Sequence, residues 1–167
     1  MQTSLPKTTK KKAQTAEPAQ RVLRQFRQVF NAVRTHLRQV EKKVGLGGAQ
    51  VWALSVVQQT PGIGIGALAQ DMNIHQSTAS NLVRALLERR LVAATRSATD
   101  RRAVQLKLLA AGARVLRRSP GPYAGVLPNA LAALDARTLR RIEADLGKLI
   151  EVLQVDDAAA GVPLSEL

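Results

Sequence analysis

Between Ala67 and Leu109 the spacing of apolar residues changes twice, and this constrains the fold more than any other stretch of the chain. Leu68, Ala69 and Met72 recur at helical spacing, and Asn73-Ile74-His75 interrupts them. A second helix is predicted over residues 76–90, with Val83, Leu86 and Leu87 turned inward. Two short helices joined by a tight turn form a helix-turn-helix candidate. After Leu91, residues 92–96 and 103–109 favour extended structure, the second alternating Val104, Leu106 and Leu108 with Gln105 and Lys107. The polar residues 97–102 between them read as a hairpin tip.

Helices flank this unit. Val22, Phe26, Val29, Phe30, Val33, Leu37, Val40 and Val44 recur at spacings of three and four, and Gly45, Gly47 and Gly48 end the run. Its other face carries Arg21, Arg24, Arg27, Arg34, Arg38, Lys42 and Lys43, which reads first as a solvated face. A further helix over residues 49–59 holds Trp52 and Val56 one turn apart and stops at Thr60-Pro61-Gly62. Gly62-Ile63-Gly64-Ile65-Gly66 lacks the Lys-Ser/Thr pair and the preceding strand of a phosphate loop, so a turn with a short extended piece is expected. Beyond Gly112 helix returns, breaks at Ser119-Pro120-Gly121-Pro122, resumes over residues 123–134, and ends with Leu139, Ile142, Leu146, Leu149, Ile150 and Leu153 in step.

The expected fold is mainly α with a small β-hairpin wing. Residues 1–18, with Lys7, Lys10, Lys11 and Lys12, read as a disordered basic tail, either solubilising or in contact with DNA or membrane. Residues 19–48 form an N-terminal helix, 49–112 a winged helix-turn-helix domain, 113–153 C-terminal helices broken near 119–122, and 154–167 a flexible tail.

Composition narrows the function. The chain carries 25 Lys and Arg against 12 Asp and Glu, a net charge of +13, as expected of a polyanion binder. Only 2% of residues are aromatic, which disfavours base-stacking on single strands. Absence of cysteine excludes disulfides and thiolate zinc sites, and the two histidines lie far apart, so neither metal nor cofactor is expected. No apolar run is long enough to span a bilayer and no export signal is evident, so a cytoplasmic protein without a membrane partner is expected. No nucleophile-base-acid spacing stands out, and an enzyme is not expected.

Nucleic acid is the first candidate partner and anionic membrane the second. A recognition helix presents short polar and guanidinium side chains to base edges from its first turns, and Gln76, Ser77, Thr78, Ser80, Asn81 and Arg84 supply such a face. Ser77 alone reads equally as helix-start chemistry. At the hairpin tip Asp100 precedes Arg101 and Arg102, so that Arg102 can enter a narrow minor groove with Asp100 orienting its guanidinium. The bland alternative is a surface ion pair. Seven basic residues, Arg96 among them, face only Glu88 and Asp100 between residues 75 and 107, a local charge of +5 suited to phosphate contact.

Pro61-Gly62, Leu68-Ala69, Ser77-Thr78-Ala79-Ser80, Leu91-Val92 and Asp100-Arg101-Arg102 stand in an order and spacing that resembles the MarR family of winged-helix transcriptional regulators, over roughly residues 20–153. The resemblance implies a homodimer whose N- and C-terminal helices intertwine, with a recognition helix of each subunit in successive major grooves of a pseudo-palindromic operator. It gives Arg102 the minor-groove role and Asp100 its support. It also implies a repressor released by a small anionic or aromatic ligand, for which His36 and Trp52 are candidates, although each reads as well as a core residue. A ligand-blind regulator, or a winged-helix adaptor for protein or anionic membrane, is the alternative. Three positions depart from the pattern: Arg90 replaces the glycine before the wing, Leu109 a capping threonine, and Gly64 a capping serine. Pro120 and Pro122 should break or kink a helix that is commonly continuous.

Overall fold

The computed structural model of the protein describes residues 8–96, 104–155 and 160–164. In chain order these form α1 (Thr8–Val44), α2 (Gly48–Gln59), α3 (Ile65–Asp71), α4 (Gln76–Glu88), β1 (Val92–Arg96), β2 (Val104–Leu108), α5 (Ala110–Arg118), α6 (Val126–Ala132) and α7 (Ala136–Leu153).

The core gathers around α2, whose Ala49, Val51, Ala53, Leu54, Ser55, Val56 and Val57 are all buried. A helix apolar on nearly every side belongs at the centre, and α3, α4, α5, β2 and the lower end of α1 pack against it. Ser55 is accommodated there because its hydroxyl donates to the Trp52 carbonyl at 2.7 Å. Val40, Leu46, Leu68, Met72, Leu86, Leu106 and Leu116 complete the interior.

The tight turn between α3 and α4 depends on Asn73, which takes φ 51°, a left-handed conformation that asparagine tolerates. The Ile74 N–H donates to the Ala69 carbonyl at 3.0 Å and closes the turn. After α4 the chain reverses at Arg90 (φ 53°), and the Leu91 N–H donates to the Leu86 carbonyl at 2.9 Å. β1 then pairs antiparallel with β2, from Val92↔Leu108 to Arg96↔Val104. The short extended piece expected after Pro61 lies on the other edge of β2: the Gly62 N–H donates to Leu106, and the Leu106 N–H donates to Ile63.

The proline pair breaks the C-terminal region as expected. α5 stops at Arg118, Ser119 is extended, and the Leu116 carbonyl accepts both from the Ser119 N–H at 3.2 Å and from the Tyr123 hydroxyl at 3.0 Å. Gly112 lies inside the first turn of α5 instead of preceding it. A Cβ there would fall on the Leu91 carbonyl and the Leu108 side chain, so its glycine serves a close approach of two elements.

Both ends differ from expectation. Residues 8–18, read as a disordered tail, are helical and continue into α1, with Pro18 inside it. Ala13, Gln14, Ala16, Glu17 and Ala19 are good helix formers, and a lone proline removes one N–H without a glycine to stop the helix. At the other end, read as flexible, residues 160–164 lie against the helix-turn-helix, with Pro163 buried.

Candidate nucleic-acid interface

Successive residues of a helix turn by about 100°, which puts Gln76, Ser77, Ser80, Asn81 and Arg84 on one side of α4 and Ala79, Leu82, Val83 and Leu86 on the other. The second set is buried. Of the first, Gln76, Ser77, Asn81 and Arg84 are exposed and Ser80 is half-buried, while Thr78, on the flank, is also half-buried. The six side chains named from the sequence thus share the outer half of one rigid helix, and packing on its inner half fixes their direction.

Two side chains of this face differ in what they offer. The residue before the helix is His75, extended (ψ 145°) and without a side-chain capping bond. Ser77 is therefore the second residue of the helix, exposed, and not its cap. The Ser80 hydroxyl donates to the Gln76 carbonyl at 2.8 Å, so it offers a base its lone pairs and not its proton.

The basic residues around α4 divide similarly. Arg84 projects from the polar face. Arg89 instead donates to the Gly45 carbonyl at 2.7 Å and ties the end of α4 to the junction of α1 and α2. Its charge is counted in the local excess of +5, but its role is structural. Arg96 ends β1 opposite Val104. Asp100, Arg101 and Arg102, the candidates of the wing tip, lie outside the described residues.

His36 and Trp52, which the sequence leaves open between core and ligand, come together. Both line a cavity of about 450 Å³ between α1, α2 and α6, along with Val33, Leu37, Met72, Ile74 and Tyr123. His36 is buried and Trp52 half-buried. The sequence gives no sign that residues 162–164 also form part of this wall, because they lie in a stretch without periodicity. Among the described lining residues there is no Lys or Arg, and Asp71 is the one carboxylate.

Comparison with known proteins fits this geometry. Residues 44–103 match the model of the MarR family. Among solved structures, a MepR-like protein complexed with pseudoligands is 16% identical with TM-score 0.57, covering 80% of this chain and 94% of its own. The Staphylococcus aureus MepR–DNA complex is 19% identical with TM-score 0.54, covering 77% and 93%. A mutant MarR from E. coli complexed with operator DNA is 16% identical with TM-score 0.52, covering 78% and 96%. No match is found among curated proteins. At such identities the structural likeness is one of fold, and the family match spans the end of α1, α2, the helix-turn-helix and the first wing strand. Over residues 44–103 the chain is similar to the MarR family, and its winged-helix fold is the one these solved structures share.

Proposed function

We propose that the chain is a homodimeric, sequence-specific regulator of transcription that reads a pseudo-palindromic operator and is released by a small molecule. MarR-family proteins are transcription regulators and not enzymes. The observation that carries the reading is the two-faced α4: a row of exposed polar side chains on a helix whose opposite side is locked in the core, in a chain of charge +13. Two of the structural neighbours are complexes with DNA, which supports the same use of this surface. α4 enters the major groove with Gln76, Ser77, Asn81 and Arg84 foremost, and Arg102 of the wing reaches the flanking minor groove with Asp100 as its support. The site of action is the cytoplasm.

Apolar surface left uncovered supports the dimer. Val22, Leu23, Val29 and Phe30 of α1 and Leu146, Leu149, Ile150 and Leu153 of α7 are exposed, Phe30 by 60% and Leu153 by 62%. Two helices with unburied stripes suit an interface between copies.

The cavity supports ligand release over a ligand-blind regulator, since its volume suits a small molecule. Its lining adjusts the class of guest. With no Lys or Arg among the described residues of the wall, an uncharged aromatic or aliphatic molecule fits better than the anionic one the resemblance implies.

The test is Arg102→Ala in the full chain, titrated against a duplex obtained by selection from a random library. Binding should weaken by about 1–3 kcal/mol. An adaptor for protein or membrane would select no duplex at physiological salt, and the substitution would leave its partner binding intact.

A further inference from the structure

Residues 160–164 touch both α4 and the cavity. The His75 N–H, at the entry to α4, donates to the Gly161 carbonyl at 3.0 Å. A Cβ at Gly161 would fall on the His75 imidazole, so the approach requires glycine. Val162 lines a groove with Thr78, Asn81 and Ala85, which follow one another at spacings of three and four along one flank of α4. Val162, the buried Pro163 and Leu164 also form part of the wall of the cavity, which stands open at about 450 Å³ with them in place. A guest in the cavity rests against these three side chains, and its site loses that wall when the segment leaves. A duplex makes the opposite demand. The major groove is about 12 Å wide and a helix with its side chains measures about 10–12 Å, so the groove admits α4 without a second length of chain on its flank. Residues 154–167 carry Asp156, Asp157 and Glu166 and no Lys or Arg, so they offer phosphates no cation in exchange.

We infer that residues 160–164 couple the cavity to α4: docked, they keep α4 from the full depth of the major groove, and a small apolar guest holds them docked. The role of the guest rests on the reading of the cavity as a ligand site, and that of the duplex on the reading of α4 as a recognition helix. A ligand shifts an equilibrium only by its different affinities for the two states. The guest favours the docked state, whose wall is complete, and the duplex favours the undocked state, whose flank is clear. Each therefore weakens the binding of the other by the same factor. Release from DNA by a ligand then passes through a segment of five residues, without rearrangement of the core.

Two full-length variants release the segment without changing the charge of the chain: Gly161→Ala by collision with His75, and Val162→Asn by placing an amide in an apolar wall. Both should keep the helix content and melting behaviour of the parent, because neither residue belongs to the α2-centred core. Trp52, the single tryptophan, lines the cavity, and acrylamide should quench it more readily in both variants. The probes are a duplex selected by the parent from a random library and the neutral dye N-phenyl-1-naphthylamine. Without dye, both variants should bind the duplex about fivefold more tightly than the parent, as follows if about four parent molecules in five are docked. The dye should bind both variants more weakly than it binds the parent. At dye saturation the parent should bind the duplex about fivefold more weakly still, and the variants should keep their duplex affinity. Unchanged quenching in both variants overturns docking. Increased quenching with the duplex affinity of the parent overturns the obstruction of α4, while reading of DNA by α4 stands. Equal loss of duplex from parent and variants on adding dye overturns the route through the segment, while the ligand site stands. A parent that selects no duplex removes the reading of α4, one that binds no dye removes the reading of the cavity, and either result overturns the coupling.

Discussion

Arg90 and Gly112 show how opposite demands act on single residues. Arg90 sits at φ 53°, where a side chain costs on the order of 1–2 kcal/mol that glycine avoids. Arg90→Gly should therefore raise the thermal midpoint by a few degrees, measured by differential scanning calorimetry. Gly112 is the reverse case, because the Leu91 carbonyl and the Leu108 side chain occupy the place of a Cβ. Gly112→Ala should destabilise the fold by about 1–3 kcal/mol in a urea titration, as backbone cannot yield as a flexible side chain would. The first strain was legible only through the family resemblance, which implies glycine where this chain has Arg90. The second was not, because it depends on an approach between α5 and the start of β1 that no local pattern records.

Among the elements, α4, β1 and the proline break were readable because each rests on a local signal: apolar spacing, alternation, or a residue that cannot continue a helix. The N-terminal extent of α1 was not, since Pro18 looked like a start and is an interior residue. The start of α7 was also missed. Asp135 caps it, accepting from the Arg137 and Thr138 N–H groups at 2.9 and 3.0 Å and from the Thr138 hydroxyl at 2.7 Å. The Thr138 hydroxyl first, and then the backbone N–H groups, hold the Asp135 carboxyl below its ordinary value of 3.8. A depressed carboxylate stabilises the folded state fully above its unfolded value and loses that contribution as pH falls through the folded one. The protection factors of the Thr138 and Leu139 amides, taken against intrinsic exchange at each pH, should thus be constant between pH 7 and 5 and should fall below about 3.8. Asp135→Ala should show the faster exchange at neutral pH.

Across the whole molecule, the long α1 and the terminal α7 leave their apolar stripes open, and these stripes frame the claim that two copies act together. Light scattering at micromolar concentration should give twice the chain mass. The double variant Phe30→Glu with Leu153→Glu should give a monomer that still melts cooperatively. A dimer carries one recognition helix per half-site, so selected duplexes should show inverted half-sites about 10 base pairs apart. The proposed dimer and the position of residues 160–164 are both long-range matters; for the first the sequence offered amphipathic stripes, and for the second nothing. The most direct measurement is the ratio of affinities, at one physiological salt concentration, for the selected duplex and a scrambled duplex of equal length, in the parent and in Asn81→Ala. The parent should prefer the selected duplex by about 10³-fold or more. Asn81→Ala should reduce that ratio by roughly tenfold while leaving affinity for the scrambled duplex unchanged. Equal binding of both duplexes by the parent would contradict sequence reading by α4.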